Sequence, residues 1–140
     1  MTFVKQVLQL THAGSLAMLE AAVAKAEEIG QPQCIVIVDA SGVALAQLRM
    51  AGAKYLSMQS ATAKARTAAS IGAPSDAIPE AVGPAIAAAT NGHVTRLGGG
   101  LPIVIGDALV GGIGVGSGSP DQDKAVASAA LKAVGANPQG

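Results

Sequence analysis

Between Thr11 and Ile29 the apolar residues Leu16, Leu19, Ala22, Val23, Ala26 and Ile29 recur near helical spacing. Thr11 supplies an N-cap and Gly30 a stop, which predicts a helix running to about Ile29. Pro32 breaks the chain, and the run CIVIVD (34–39) is apolar on both faces, as a central strand is. ASG (40–42) reads as a short turn and VALAQLRM (43–50) as the hairpin partner. A second helix is predicted from Tyr55 to Ser70, closed by Gly72. Residues 73–90 hold three prolines and an internal glycine, the pattern of one or two short, interrupted helices. LPIVI and ALVGGIGVG flank Gly106-Asp107 and predict a tight hairpin. The last helix opens on Ser119 as N-cap, Pro120 at its first position and Gln122 completing a capping box. It runs to about Val134, and Gly135 ends it before a tail expected to fray.

The order is helix, two strands, two or more helices, two or three strands, helix. Strands joined by tight turns form antiparallel pairs, and their apolar faces need helices over them. The expected fold class is α+β: a sandwich with a central antiparallel sheet of about five strands, unlike a doubly wound Rossmann domain. No linker or repeat divides residues 1–140, so one domain is expected, with its core at about 11–134.

Composition narrows the function classes. Half the residues are hydrophobic, yet Phe3 and Tyr55 are the only aromatics, which disfavours a base-stacking surface. Nine basic residues balance nine acidic ones without a basic stripe, so nucleic acid is not an expected partner. Cys34 is the only cysteine, sits in an apolar run and is expected to be buried. The N-terminus lacks the pattern of a signal peptide, and no apolar run reaches the ~18 residues of a membrane span. A cytoplasmic protein without a membrane partner is the expectation.

Several stretches could carry chemistry. Glycines at 112, 114, 116 and 118 would leave one strand face without side chains. That face suits either close docking of an Ala-rich helix or a floor beneath a planar or anionic ligand. Neither a Walker motif nor GxGxxG spacing is present. Lys64 and Arg66, two apart on the second helix, point to roughly opposite sides, so they form no single clamp; either could meet a ligand carboxylate. Asp39 ends the central strand, where turn chemistry accounts for it, and Arg49 lies near the end of the hairpin partner. Asp121 and Asp123 lie in the first turn of the last helix, favoured there by its dipole. Without HExxH, CxxC or HxH no metal site is expected, and no GxSxG elbow marks a nucleophile.

The stretch TNGHVTRLGGGLPI (90–103) adds a different kind of signal. Asn91-Gly92 is a turn, and Gly98, Gly99 and Gly100 free the backbone before Pro102. A turn requires neither His93 nor Arg96. His93, one of two histidines beside His12, can ligate a metal or transfer a proton.

The motifs VDASGVALAQLRMAGA, KARTAA, TNGHVTRLGGGLPIV and GGIGVGSGSPDQDKAVA together resemble the GlcG/HbpS family of haem-binding-like proteins. That family also includes the C-terminal domain of PduO-type cobalamin adenosyltransferases. The resemblance runs from about Thr11 to Val134. It implies a profilin-like sandwich and a homo-oligomer, with haem binding or cobalamin-related chemistry in some members and small-molecule catabolism around others. Carried over by motif, the candidate residues are Asp39, Arg49, Lys64, Asn91, the loop from Gly98 to Pro102, Asp121 and Asp123. His93 stands where a small residue such as glycine is common in the family.

The leading expectation is a cytoplasmic homo-oligomer binding a small anionic ligand, with haem as a possible cofactor. The ligand would lie on the glycine-rich face near His93, its carboxylates meeting Lys64, Arg49 or Arg96. Haem would meet His12, His93, Tyr55 and four methionines as possible ligands but almost no aromatic wall, which implies a shallow or shared site. The alternative is a catabolic enzyme (hydratase, isomerase, deaminase or hydrolase) acting on an unsaturated carboxylic acid. There His93 would be the general acid or base, with Lys64 or an Arg holding the carboxylate. An assembly or sensor protein without chemistry of its own is a third possibility.

Overall fold

Thr11 caps the first helix as its sequence position predicts: its Oγ1 accepts from the N–H of Gly14 at 3.1 Å, and α1 runs His12–Glu28. The computed structural model describes residues 1–139. The hairpin strands follow as β1 (Cys34–Asp39) and β2 (Ala44–Arg49), and the second helix, α2, spans Ser57–Ile71. Two 3-10 turns, Ser75–Ala77 and Glu80–Val82, lead into the short α3 (Gly83–Ala89). The interruption follows from Pro74, Pro79 and Pro84, each of which denies an N–H to a continuous helix. Strands β3 (Gly100–Ile105) and β4 (Ala108–Gly116) form the second hairpin, and α4 covers Pro120–Ala133 behind the complete capping box of Ser119 and Gln122.

Among the described residues the sheet has four strands in the order β2-β1-β4-β3, all antiparallel, rather than the expected five or so. The glycine-rich run does not split. β4 stays one strand of nine residues because β1 and β3 pair along its two sides. The 90–99 loop contributes no further strand.

Helices α1 and α4 cover one face of the sheet and α2 the other, which explains why β1 is apolar on both sides. Ile35 and Ile37 face Met18, Ala22, Val126 and Leu131; Cys34, Val36 and Val38 face Ala61, Ala65 and Ala69.

The glycines of β4 set the distance on the α2 side. A Cβ at Gly112 would strike the carbonyl of Ala65, one at Gly114 that of Ala61, and one at Gly116 would come within 3.1 Å of that of Ser57. Four residues of helix advance about 6 Å and two residues of strand about 6.6 Å, so the two repeats stay in step. The helix backbone lies directly on the bare strand. That contact occupies the face on which a ligand was expected to rest.

Candidate functional site

Lys64 and Arg66 leave α2 on opposite sides, as their spacing requires, and meet different surroundings. Lys64 is only 5% exposed; its Nζ donates to the carbonyl of Val115 at 2.8 Å and to Asp123 Oδ2 at 3.1 Å. Asp123 Oδ1 in turn accepts from the N–H of Gly118 at 3.0 Å. This buried pair ties α2 to α4 and to the end of β4. Lys64 lines neither of the clefts beside His93, and its ammonium is engaged by protein groups.

Arg66 is half-buried, with its Nε donating to the carbonyl of Gly42 at 3.1 Å in the β1–β2 turn. It stands between two open clefts. The wider, about 830 Å³, reaches from Ser41 and Val43 across to Thr90 and Asn91. The narrower, about 510 Å³, runs between Gln47 of β2 and Met58, Gln59 and Thr62 of α2. Arg66, Asn91 and His93 line both. His93 is exposed, and Asn91 holds a left-handed φ of 54° that turns the chain back after α3. In both linings Arg66 is the one permanently charged side chain, and carboxylates are missing from them among the described residues. The pair of clefts therefore favours an anion and offers one imidazole beside it.

The remaining sequence candidates lie elsewhere. Asp39 Oδ1 accepts from the N–H groups of Ser41 (2.8 Å) and Val43 (3.1 Å), which shapes the turn. Arg49 pairs with Cys34 at the opposite end of the hairpin and borders a separate cleft with Leu48 and Val23. Burial raises the pKa of the Cys34 thiol, and the charge of Arg49 partly opposes that shift. Arg96 donates from Nε to the carbonyl of Ile78 at 3.1 Å, its aliphatic stem lying against Gly83.

Gly98, Gly99 and Gly100 make room for close neighbours. A Cβ on Gly98 would crowd Lys124, one on Gly99 would reach Val115 and Asp123, and one on Gly100 the carbonyl of Lys64. Pro102 is buried in β3 opposite Gly112. Asp121 is exposed at the start of α4, whereas Asp123 is the buried partner of Lys64. Lys124 meets Asp76 at 2.6 Å, and that hydrogen bond and charge raise its pKa.

Sequence reasoning did not single out Ser41, Gln47, Met58 or Thr62 as cleft residues. Ser41 and Gln47 have the polarity of ordinary exposed positions, and Met58 and Thr62 read as ordinary half-buried helix positions. Only their approach to the 91–93 loop distinguishes them.

A protein-family model described as haem degrading protein HbpS-like matches residues 10–132, most of the chain. The chain belongs to the HbpS-like family. Within it, this member is similar to a 15.0 kDa protein from the dhaT–dhaS intergenic region of Citrobacter freundii, at 31% identity over 91% of this chain and 93% of that one. It is 34% identical over 84% of its length to the corrinoid adenosyltransferase PduO of the same organism, of which it spans 36%. Among solved structures, PduOC in its complex with haem superposes with a TM-score of 0.87 at 28% identity, over 95% of this chain and all of that one. The family expected from the motifs is thus the family found.

Proposed function

We propose that this protein is a cytoplasmic homo-oligomer that binds a planar or otherwise anionic carboxylate ligand, with haem foremost, in the clefts on either side of Arg66. The observation that carries this reading is the lining itself: one guanidinium and one imidazole converge on open grooves without a competing carboxylate. The complex of its relative PduOC with haem favours the same ligand class.

The residues present fit haem in donor chemistry. Haem, when bound, would supply an iron that accepts an imidazole or thioether donor. His93 would be the imidazole that holds the iron, with the thioether of Met58 a second donor in the narrower cleft. Arg66 would hold a propionate, a task suited to its planar fork. Both cleft volumes fall within the ~300–1,000 Å³ of ordinary ligand sites, but apolar cover from this one chain is thin. Acid–base chemistry in these clefts would rest on His93 without Lys64, which is spent in its buried pair.

The test is a haemin titration followed by Soret absorbance, with His93→Ala, Arg66→Gln and His12→Ala measured beside the native chain. The expected outcome is a saturable, stoichiometric band in the native protein and in His12→Ala. It should be lost in His93→Ala and at least about tenfold weaker in Arg66→Gln, the scale of a charge-assisted hydrogen bond. An unchanged response in His93→Ala, or loss in His12→Ala instead, would overturn this assignment.

A further inference from the structure

Residues 1–9 leave the body of the fold as an extended arm. Phe3, Val4, Val7 and Leu8 are 93%, 87%, 73% and 66% exposed, and only Leu10 joins the core. Residues 1–9 form no strand or helix, and no hydrogen bond holds them among the described residues. Five large apolar side chains, Met1 among them, and a single charged side chain, Lys5, are a poor composition for a solvated tail.

The sheet has two edges, and they differ. The outer edge of β3 is blunted: Pro102 has no N–H to offer, and the N–H of Asn137 covers the carbonyl of Val104 at 2.8 Å. Among the described residues the outer edge of β2 has no strand beside it, and β2 contains no proline or lysine. Beside it, Leu48 shares an open apolar cleft with Leu19 and Val23 of α1, and Glu20 and Glu27 border that cleft.

We propose that the N-terminal arm of one copy of this chain adds as a strand to the open edge of β2 in a second copy. Side chains alternate along a strand, so Phe3, Lys5 and Val7 share one face and Val4, Gln6 and Leu8 the other. Charge decides which face goes where. Lys5 meets Glu20 and Glu27, which lays Phe3 and Val7 over Leu19, Val23 and Leu48. Val4 and Leu8 then fall on the α2 side, beside Gln47 and the narrower cleft, and supply the apolar cover that one chain lacks there. In a two-fold dimer the arms would be exchanged reciprocally. Backbone hydrogen bonds would give affinity and the alternate side chains register, as in strand addition generally.

This inference rests on the oligomeric reading above, and the experiment separates the two. Sedimentation of the full chain would be compared with a chain lacking residues 1–8 and with Lys5→Glu, while hydrogen exchange follows the amides of 44–49. The full chain is expected to associate, and truncation to weaken association at least tenfold and strip protection from the β2 amides that face the outer edge, those not taken up by β1. Lys5→Glu should weaken association and regain it when combined with Glu20→Lys and Glu27→Lys. A monomeric full chain would overturn both the oligomeric reading and the arm's role. A truncated chain of undiminished size with those outer-edge amides still protected would overturn the arm's role alone. Protection of those amides that persists in the dissociated monomer would put the arm on its own chain and also overturn the proposal.

Discussion

The ammonium of Lys64 lies 3.1 Å from the carboxylate of Asp123, with both side chains almost wholly buried. Neither charge is left to solvent, and the surrounding hydrogen bonds to Val115 and Gly118 take up a further part of their capacity. Such a pair contributes little net stability relative to apolar residues, yet breaking it strands a charge. Lys64→Met is expected to lower the unfolding free energy by about 3–5 kcal/mol, read by urea denaturation. The double variant Lys64→Met, Asp123→Leu should cost less than the two single changes added together. Additive costs would show that the two groups do not interact.

The α2–β4 contact makes a sharper demand. Gly114→Ala places a methyl against the carbonyl of Ala61, where backbone on both sides resists displacement. A loss of about 3 kcal/mol or more is expected, at the upper end of overpacking costs. The same change at Gly30, where nothing lies within 4 Å of the added carbon, should leave packing intact and incur only the strain of its φ of 70°. Thermal unfolding of the two variants checks the ranking.

Ser75 anchors the loop that precedes β3. Its buried Oγ donates to the carbonyl of Leu97 at 2.6 Å and accepts from the N–H of Gly100 at 2.9 Å. Ser75→Ala leaves both backbone groups without that partner and is expected to cost about 2 kcal/mol. Amide exchange at Gly100 should quicken in the variant more than exchange in α4.

Cys34 supplies a pH dependence. Burial is the larger influence on its thiol and raises its pKa, against the lowering effect of Arg49. The folded protein therefore keeps the proton where the unfolded chain releases it. The stability linked to this group is fully present below the unfolded thiol value of about 8.5 and falls as pH rises towards the folded value. Denaturation midpoints at pH 7.5 and 9.5 should drop further for the native chain than for Cys34→Ala. A thiol reagent at pH 7.5 should label Cys34 far more slowly in the folded protein than in the unfolded chain.

Much of the fold is legible along the chain because its signals are local. Thr11 and Ser119 cap the helices they precede, Gly106-Asp107 turns the second hairpin, and the prolines from 74 to 84 interrupt the third helical stretch. Each acts within a few residues, so its consequence survives whatever the rest of the molecule does. The strand count was less legible, since nothing local says whether a glycine run divides a strand or admits a helix against it.

The candidate site divides in the same way. The opposed directions of Lys64 and Arg66 follow from helical geometry within α2, and the turn around Asn91 and His93 follows from its own residues. Which of the two cations would face His93 depended on Asp123, 59 residues further along, and on the pairing of β1 with β4 that brings the hairpins together. By itself, then, the sequence determined the order of the helices and hairpins, the caps of the first and last helices and the motifs that mark the family. Tertiary structure alone decided that Lys64 is buried and that Arg66 stands beside His93, because both outcomes arise from contacts between residues whose separation leaves no local trace.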